Sequence, residues 1–217
     1  MIRVLVADDH VVVRKGLSYL INDQTDMEVI GTVADGIEAY IEVESKLPDV
    51  VVMDLRMPPG ENGLLTTKRI KEKFPQIKII ILSMHDDEDY IIQGMKAGAD
   101  GYILKSSDDQ EITNGIREVL SNHYYLDQQI PMQQQFFEEL AMATNDSKKN
   151  SYDQLSNREQ EVLPLVALGY ANREIAERLF ISVKTVEVHK ANVMKKLNLE
   201  NRVELIRYAV KENIIDL

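Results

Sequence analysis

The sequence predicts an α/β doubly wound domain of the flavodoxin-like kind, followed by a small all-α domain. Three observations lead to this prediction. Short β-rich runs alternate with helix-length stretches over residues 1–122, two of these runs are continuously apolar, and residues 153–217 show a purely helical spacing of apolar side chains. A length of 217 residues suits two domains.

The composition is typical of a globular protein, with 44% hydrophobic and 28% charged residues. The chain contains no cysteine, which excludes disulfides, Cys-ligated zinc and thiol nucleophiles and favours the cytoplasm. No apolar run approaches the ~20 residues of a membrane span. Met1 leads straight into a strand-like run instead of a signal peptide. We therefore expect a cytoplasmic protein with no membrane partner.

Five apolar runs predict the strands of the first domain. The third and fourth runs are continuously apolar, as expected for central parallel strands that are covered on both faces. The intervening stretches carry helical spacing, and Pro75 ends one of these helices. The predicted strands are Ile2–Ala7, Glu28–Val33, Val50–Met53, Ile77–Leu82 and Gly101–Leu104. Five strands and five helices over residues 1–122 give an open doubly wound sheet.

The second half of the chain reads as a linker and a helical domain. Residues 123–152 are rich in Gln, Asn and Ser and predict a linker, in which Met132–Ala143 has the spacing of a helix. Ser156 and Glu159 form a capping-box pattern that opens a helix to about residue 168, and Gly169 predicts its end. Further helices are predicted at residues 172–179, 183–197 and 202–213.

Charge is distributed unevenly between the two halves. Residues 1–122 contain 13 Lys and Arg against 22 Asp and Glu, whereas residues 153–217 contain 10 of each. An acidic module joined to a neutral one suggests two different partners, although a solvated acidic surface alone would give the same count.

Charged and polar residues follow four of the five predicted strands. Asp8 and Asp9 follow the first, Asp54 the third, Ser83 the fourth and Lys105 the fifth. In the flavodoxin-like strand order 2-1-3-4-5 these strand ends are neighbours, so their side chains should converge on one pocket.

This pocket predicts a magnesium site and a phosphoacceptor. Grouped carboxylates repel each other unless a cation lies among them, and hard oxygen ligands select Mg²⁺. If Asp8, Asp9 and one oxygen of Asp54 hold the metal, the other Asp54 oxygen is free to attack phosphorus, with Lys105 offsetting charge. A single strand-end Asp is most often a helix cap and a single Lys a surface cation, but the combination of all these residues is rare.

Residues 1–122 resemble a two-component response-regulator receiver domain, through Val4–His10, Val52–Pro58 and Gly101–Lys105. The resemblance implies that Asp54 accepts phosphate from a sensor histidine kinase. It also implies that Asp8 and Asp9 bind Mg²⁺ with the backbone carbonyl of Arg56, and that Ser83 and Tyr102 are the switch pair. Tyr102 as a plain core residue remains the alternative.

Two features depart from the common receiver pattern. The loop at residues 58–63 looks one residue longer than usual, and Ser106 stands where many receivers have a proline after the lysine. Ser106 excludes a cis proline bond at that place. Neither change removes a chemical group from the predicted site.

Residues 155–217 resemble the LuxR-type helix-turn-helix domain, through Leu155–Glu159, Asn172–Ala176 and Ser182–His189. Together the two domains resemble the NarL/FixJ family of response regulators. That resemblance implies promoter DNA as a partner, homodimers on phosphorylation, and RNA polymerase as a further partner. The stretches Met57–Gly60 and Leu179–Thr185 are similar to oxygen-responsive regulators of nitrate respiration, and relatives that govern cell-envelope stress share much of the pattern.

The helix predicted over residues 182–197 has two distinct faces. Val186, Val193 and Leu197 form one stripe, and the opposite side has Lys184 and Lys195 at its two ends with Val188 and Ala191 between them. Four lysines against one glutamate favour DNA phosphates, although a solvated cationic face would look alike. We expect His189 to pack or to contact phosphate, with no metal. The expected DNA-contacting residues are Lys184, Thr185, Glu187, Val188, Ala191, Asn192 and Lys195.

Two other functions compete with a phosphorylation-controlled transcription regulator. A haloacid-dehalogenase-like phosphohydrolase also uses a strand-end Asp and Mg²⁺, but it needs a second acid two residues later. Arg56 occupies that place and cannot donate a proton to a leaving group, so we expect no enzyme. An orphan regulator controlled by protein contacts would not need Asp54, Ser83 and Lys105, which are all present.

Overall fold

A computed structural model describes residues 1–58, 60–130, 151–212 and 214–216. The chain forms two compact units, Met1–Met57 with Asn62–Asp146 and Pro58–Glu61 with Ser147–Leu217. In the part of the chain that is described, no helix is both long and apolar enough to span a membrane.

The first unit is built on a parallel sheet of six strands. These are β1 (Ile2–Ala7), β2 (Met27–Val33), β3 (Val50–Asp54), β5 (Lys78–Ser83), β6 (Gly101–Leu104) and β7 (Tyr125–Leu126), in the order β2-β1-β3-β5-β6-β7. The label β4 belongs to a two-residue strand, Gly60–Glu61, in the second unit. The predicted flavodoxin-like fold and the order of its first five strands are confirmed.

Helices cover both faces of this sheet. They are α1 (Val11–Asn22), α2 (Gly36–Lys46), α3 (Gly63–Lys73), α4 (Glu88–Lys96) and α5 (Asp109–Leu120). Val4 and Val6 pack with α1 and α5 on one face, whereas Leu5 and Ala7 pack with α2 and α3 on the other. Because both faces of β3 and β5 are buried, these strands are apolar at every position but their ends.

Strand β7 is an element that the sequence analysis did not predict. It extends the sheet by pairing Gly101 with Tyr125 and Tyr102 with Leu126. Tyr125 and Leu126, which the sequence analysis assigned to the linker, therefore form a strand of the first unit. The helix predicted at Met132–Ala143 lies outside the described residues.

The described residues of the second unit form four α-helices: α6 (Asn157–Leu168), α7 (Asn172–Arg178), α8 (Val183–Lys196) and α9 (Arg202–Lys211). A 3₁₀ turn, Ser151–Gln154, precedes them, and β8 (Ile215–Asp216) pairs antiparallel with β4. The predicted capping box is present, because Ser156 and Glu159 each accept the other's backbone N–H. Gly169 ends α6 with a φ of 97°, a conformation that favours glycine.

Gly63 lies where helix α3 starts against the end of β3. Its N–H donates to the carbonyl of Leu55 at 2.9 Å. A Cβ at this position would lie 2.0 Å from the backbone oxygen of Asp54. Only glycine therefore allows α3 to begin this close to the strand end that carries Asp54.

We expect Gly63→Ala to lower the free energy of unfolding by more than about 1 kcal/mol, because the backbone must move to relieve the overlap. Gly16 is the control, since a Cβ there meets no atom within 4 Å on the exposed side of α1. Gly16→Ala should raise the same free energy by roughly 0.5–1 kcal/mol. Urea denaturation measures both, and equal effects of the two substitutions would contradict the close approach at Gly63.

Candidate functional site

The register of the parallel sheet brings the predicted side chains together at its carboxyl edge. Ala7 pairs with Met53, so Asp8 and Asp54 end neighbouring strands. Ser83 pairs with Leu104, which places Lys105 beside the end of β5. Asp8, Asp54 and Ser83 are all buried, with at most 5% of their surface exposed. The predicted convergence of these residues is what the structure shows.

Lys105 joins the two buried carboxylates of this site. Its Nζ lies 2.6 Å from Asp54 Oδ2 and 2.7 Å from Asp8 Oδ2. Its backbone N–H donates to the carbonyl of Ser83 at 2.7 Å, which continues the β5–β6 ladder beyond the strand end. Lys105 is thus an internal cation here, not a surface one.

The pKa values of both Asp54 and Lys105 are raised, but for different reasons. Burial raises the pKa of Asp54 above its usual value, and the hydrogen bond and charge of Lys105 offset only part of this effect. Burial would lower the pKa of Lys105, but its close contacts with the carboxylates of Asp54 and Asp8 outweigh it, and its pKa is raised. A buried carboxylate in such a place gains from an additional cation.

The donor set fits a divalent cation. Asp8, Asp9, His10 and Asp54 each offer a ligand atom, and these atoms lie within 4.8 Å of one another. Asp8 Oδ2 and Asp9 Oδ1 are buried oxygens that receive no hydrogen bond of normal geometry from the described residues. Within the described part of the chain, Lys105 contacts Asp8 Oδ2 and His10 contacts Asp9 Oδ1, each as an ionic contact. Carboxylate oxygens left in this state are suited to a hard cation such as Mg²⁺.

The sequence analysis did not include His10 in this group. His10 Nδ1 lies 2.7 Å from Asp9 Oδ1, and its backbone N–H donates to Asp8 Oδ1 at 2.8 Å. The only sequence signal was its position directly after the Asp8-Asp9 pair. Arg56, expected to contribute its carbonyl, contacts the site through its backbone N–H, which donates to Asp54 Oδ1 at 3.3 Å.

Ser83 and Tyr102 meet at the backbone of His85. Ser83 Oγ accepts the N–H of His85 at 3.1 Å, and the Tyr102 hydroxyl donates to the carbonyl of His85 at 2.8 Å. Tyr102 is fully buried, and this burial raises the pKa of Tyr102 to about 12. The two side chains are therefore linked through one residue of the loop that follows β5.

Helix α8 has the two faces that its sequence predicts. Val186 and Val193 are buried in the second unit, and Leu197 is partly buried at the end of the helix. Ser182 caps the helix by accepting the N–H of Thr185 at 3.0 Å, and its hydroxyl contacts that of Thr185 at 2.7 Å. Six of the seven predicted DNA-contacting residues are exposed, and Thr185 is partly buried: Lys184, Glu187, Val188, Ala191, Asn192, Lys195.

Lys196, one of the four lysines of this helix, is exposed, but its ammonium is paired within the second unit. Its Nζ lies 2.6 Å from Glu159 Oε2 and donates to the carbonyl of Gln154 at 3.3 Å. Lys196 therefore ties the end of α8 to the capping box of α6. Burial opposes ionisation of Glu159, but hydrogen bonds from Lys196 and Ser156 outweigh it and lower the pKa of Glu159.

His189 lies between the two faces of α8. Its Nδ1 is buried and has no hydrogen-bond partner among the described residues. This placement fits packing within the second unit, and contact of the ring with phosphate stays a prediction.

Comparison with known proteins matches two family models to separate parts of the chain. Residues 4–117 match the response regulator receiver domain, and residues 153–209 match the bacterial regulatory proteins of the luxR family. Over 216 residues the chain is 47% identical to the oxygen regulatory protein NreC of Staphylococcus carnosus strain TM300, covering 99% of each.

The solved structures that are similar over nearly the entire chain include two of RcsB bound to DNA. One holds RcsB from Salmonella enterica serovar Typhimurium bound to promoter P1flhDC with the phosphomimetic BeF₃⁻, at 26% identity and a TM-score of 0.56, covering 95% of this chain and 97% of that one. The other shows two RcsB dimers bound to two parallel DNAs, at 25% identity and a TM-score of 0.55, covering 96% of this chain and 98% of that one.

We expect Asp54→Asn to raise the melting temperature at pH 7 in the absence of divalent cations, because burial disfavours the ionised carboxyl. A carboxyl group whose folded pKa is raised stabilises the fold below its usual pKa of 3.8 and loses that contribution as pH rises through the folded value. The increase in melting temperature of Asp54→Asn over the wild type should therefore be largest at pH 7 and decrease towards pH 4.

Asp100→Asn is the control for this measurement, since Asp100 is another buried carboxylate of the sheet, bound by Lys71, Lys78 and the N–H of Ile79. It should lower the melting temperature at pH 7. Thermal unfolding followed by circular dichroism measures both variants. A loss of stability in Asp54→Asn at pH 7 would show that the ion pair with Lys105 outweighs the burial of Asp54.

Proposed function

This chain belongs to the response regulators that join a receiver domain to a LuxR-type DNA-binding domain, and we propose that phosphorylation of Asp54 controls its binding to promoter DNA. The family consists of transcription regulators, not enzymes. The observation that carries the proposal is the pairing of a buried Asp54 with Lys105 beside two further carboxylates at the carboxyl edge of the sheet.

In the proposed reaction an Asp54 oxygen attacks the phosphorus of a phosphohistidine on a sensor kinase. The new O–P bond replaces the P–N bond, and the imidazole nitrogen leaves with the electron pair and takes up a proton. Lys105, already held 2.6 Å from Asp54, offsets charge on the transferred phosphoryl oxygens. Arg56 remains unable to act as the second acid that a phosphohydrolase would need.

We propose that Asp8, Asp9 and Asp54 hold Mg²⁺, with the backbone carbonyl of Arg56 as a further ligand. The buried oxygens of Asp8 and Asp9 that lack hydrogen bonds support this assignment. When bound, Mg²⁺ supplies positive charge that offsets the carboxylates and the phosphoryl oxygens.

The proposed switch connects Asp54 to the loop after β5. A phosphoryl group on Asp54 offers new acceptors to the hydroxyl of Ser83. Ser83 and Tyr102 are both hydrogen-bonded to the backbone of His85. A movement of Ser83 would therefore shift His85, whose carbonyl accepts the hydrogen bond of the Tyr102 hydroxyl. This shared residue supports Ser83 and Tyr102 as the switch pair.

The proposed partners follow from the two domains. The DNA-bound RcsB dimers support promoter DNA as the ligand of α8 and a homodimer as the phosphorylated form. RNA polymerase and a sensor histidine kinase are the other proposed partners. Because the chromosomal DNA and RNA polymerase are cytoplasmic, the proposed location of the protein is the cytoplasm. The relatives named oxygen regulatory protein support oxygen as the stimulus of the kinase.

Asp54 should be the sole residue labelled when the protein is incubated with Mg²⁺ and acetyl phosphate, because Asp8 and Asp9 are the proposed metal ligands and Asp54 is the carboxylate left to attack phosphorus beside Lys105. Mass spectrometry locates the modification. Labelling should disappear in Asp54→Asn and after chelation of Mg²⁺, and it should persist in Asp100→Asn. Labelling that survives in Asp54→Asn would overturn the proposal, and a wild-type protein that is never labelled would favour an orphan regulator.

Neighbouring lysines of α8 should separate DNA contact from fold stability. We expect Lys195→Ala to weaken binding to all duplexes and to reduce the slope of log affinity against log salt by about one unit, as for one lost phosphate contact. Lys196→Ala should leave that slope unchanged and lower the melting temperature, since Glu159 holds Lys196.

Base preference should instead depend on Ala191, which is exposed on the same face. Ala191→Phe should change the preferred sequence, with ~1 to 3 kcal/mol lost at the affected base pair. The assay is a binding titration at several salt concentrations with and without beryllofluoride, which should also double the number of chains per complex. If both Lys195→Ala and Ala191→Phe bind as the wild type does, α8 is not the reading helix.

A further inference from the structure

Asp127 is a fully buried carboxylate that directly follows β7. Its Oδ1 accepts the N–H of Gln129 at 2.9 Å, and its own N–H donates to the carbonyl of Tyr102 at 3.0 Å. Its Oδ2 accepts the N–H of Leu104 at 3.0 Å and the hydroxyl of Ser107. The charge of this side chain is therefore satisfied entirely by groups on β6, on the loop after it and on the chain after β7.

The two groups that bind Asp127 Oδ2 lie on either side of Lys105 in the sequence. Leu104 directly precedes Lys105, and Ser107 follows two residues later. The same turn is closed by a backbone hydrogen bond from Ser107 N–H to the carbonyl of Leu104 at 3.1 Å. One carboxylate oxygen thus fixes the start and the end of the short turn from which the Lys105 side chain extends.

The sequence of this turn leaves its backbone free to adopt several conformations unless another part of the chain restricts it. Residue 106 is an exposed serine, so no proline ring restricts the backbone after the lysine. The Lys105 side chain has four rotatable carbon–carbon bonds, and its Nζ must reach both Asp8 and Asp54 from a backbone with more freedom. A buried carboxylate that binds both ends of the turn supplies the restriction that the missing proline does not.

We propose that Asp127 is a positioning residue for Lys105, and that it holds the Lys105 turn through Leu104 and Ser107 so that the ammonium is ready for phosphoryl transfer to Asp54. The inference rests on the proposed function of Asp54. It gives the two-residue strand β7 a role, since pairing of β7 with β6 is what brings Asp127 under the turn.

Ser107 offers the mildest test, because it is outside the core and contributes one hydroxyl. Ser107→Ala removes that hydrogen bond, and Ser107→Thr keeps a hydroxyl. We expect Ser107→Ala to slow labelling by acetyl phosphate about three- to tenfold, less than the ~10²-fold that a displaced catalytic group can cost. Ser107→Thr should restore the wild-type rate. The readout is the initial rate of phosphorylation by intact mass at saturating Mg²⁺.

The same rate measured without Lys105 distinguishes positioning from general stability. If Ser107 acts through Lys105, then Ser107→Ala should cause no further loss in a Lys105→Ala background. A second loss of equal size would mean that Ser107 and Asp127 act independently of the lysine. Asp127→Asn should also slow labelling, because an amide cannot accept hydrogen bonds on both of its sides.

Asp100→Asn is the matched control, since Asp100 is a buried aspartate at the other end of β6. It should lower the melting temperature and leave the labelling rate of folded protein unchanged. Wild-type rates in Ser107→Ala and Asp127→Asn would overturn the inference alone. Absence of labelling in the wild type, or its survival in Asp54→Asn, would overturn the proposed function instead.

Discussion

The contact between one ammonium and two buried carboxylates holds the functional edge of the first unit together. Lys105 lies within 2.7 Å of both Asp8 and Asp54. Two carboxylates this deeply buried repel each other, and the ammonium between them offsets that repulsion. The pairing of β1 with β3 and of β5 with β6 places the strand ends that carry these three groups next to one another. The chemistry of the site therefore depends on the register of the sheet, which brings the ammonium to both carboxylates.

Much of this fold could be predicted because its signals are local. Val50–Asp54 is apolar up to its last residue, which marks a central strand and its polar end together. Ser156, Glu159 and Gly169 each occupy a helix end that their side chains or backbone freedom favour. The strand order followed from the fold class, and that order alone brought Asp8, Asp54 and Lys105 to one edge.

The missed features depend on contacts between distant residues. Tyr125 and Leu126 form too short a run to show a strand period, and only pairing with β6 makes them a strand. Asp127 lies in a polar stretch that reads as linker, yet its partner Leu104 is 23 residues earlier. From the sequence, Lys196 is indistinguishable from an unpaired surface lysine, because its partner Glu159 is 37 residues away. Periodicity and composition carry no information about such pairs.

Helix α8 separates the residues that hold the domain together from those that face outwards. Val186 and Val193 are buried, whereas Val188 is 52% exposed and Ala191 is exposed as well. Substitutions on the outer face therefore meet little selection for folding. On the DNA-reading role proposed for α8, a copy of this protein that arises by gene duplication can acquire new target promoters through changes at these few positions, while its core stays the same. In such a domain, the evolution of regulatory networks is decoupled from the evolution of stability.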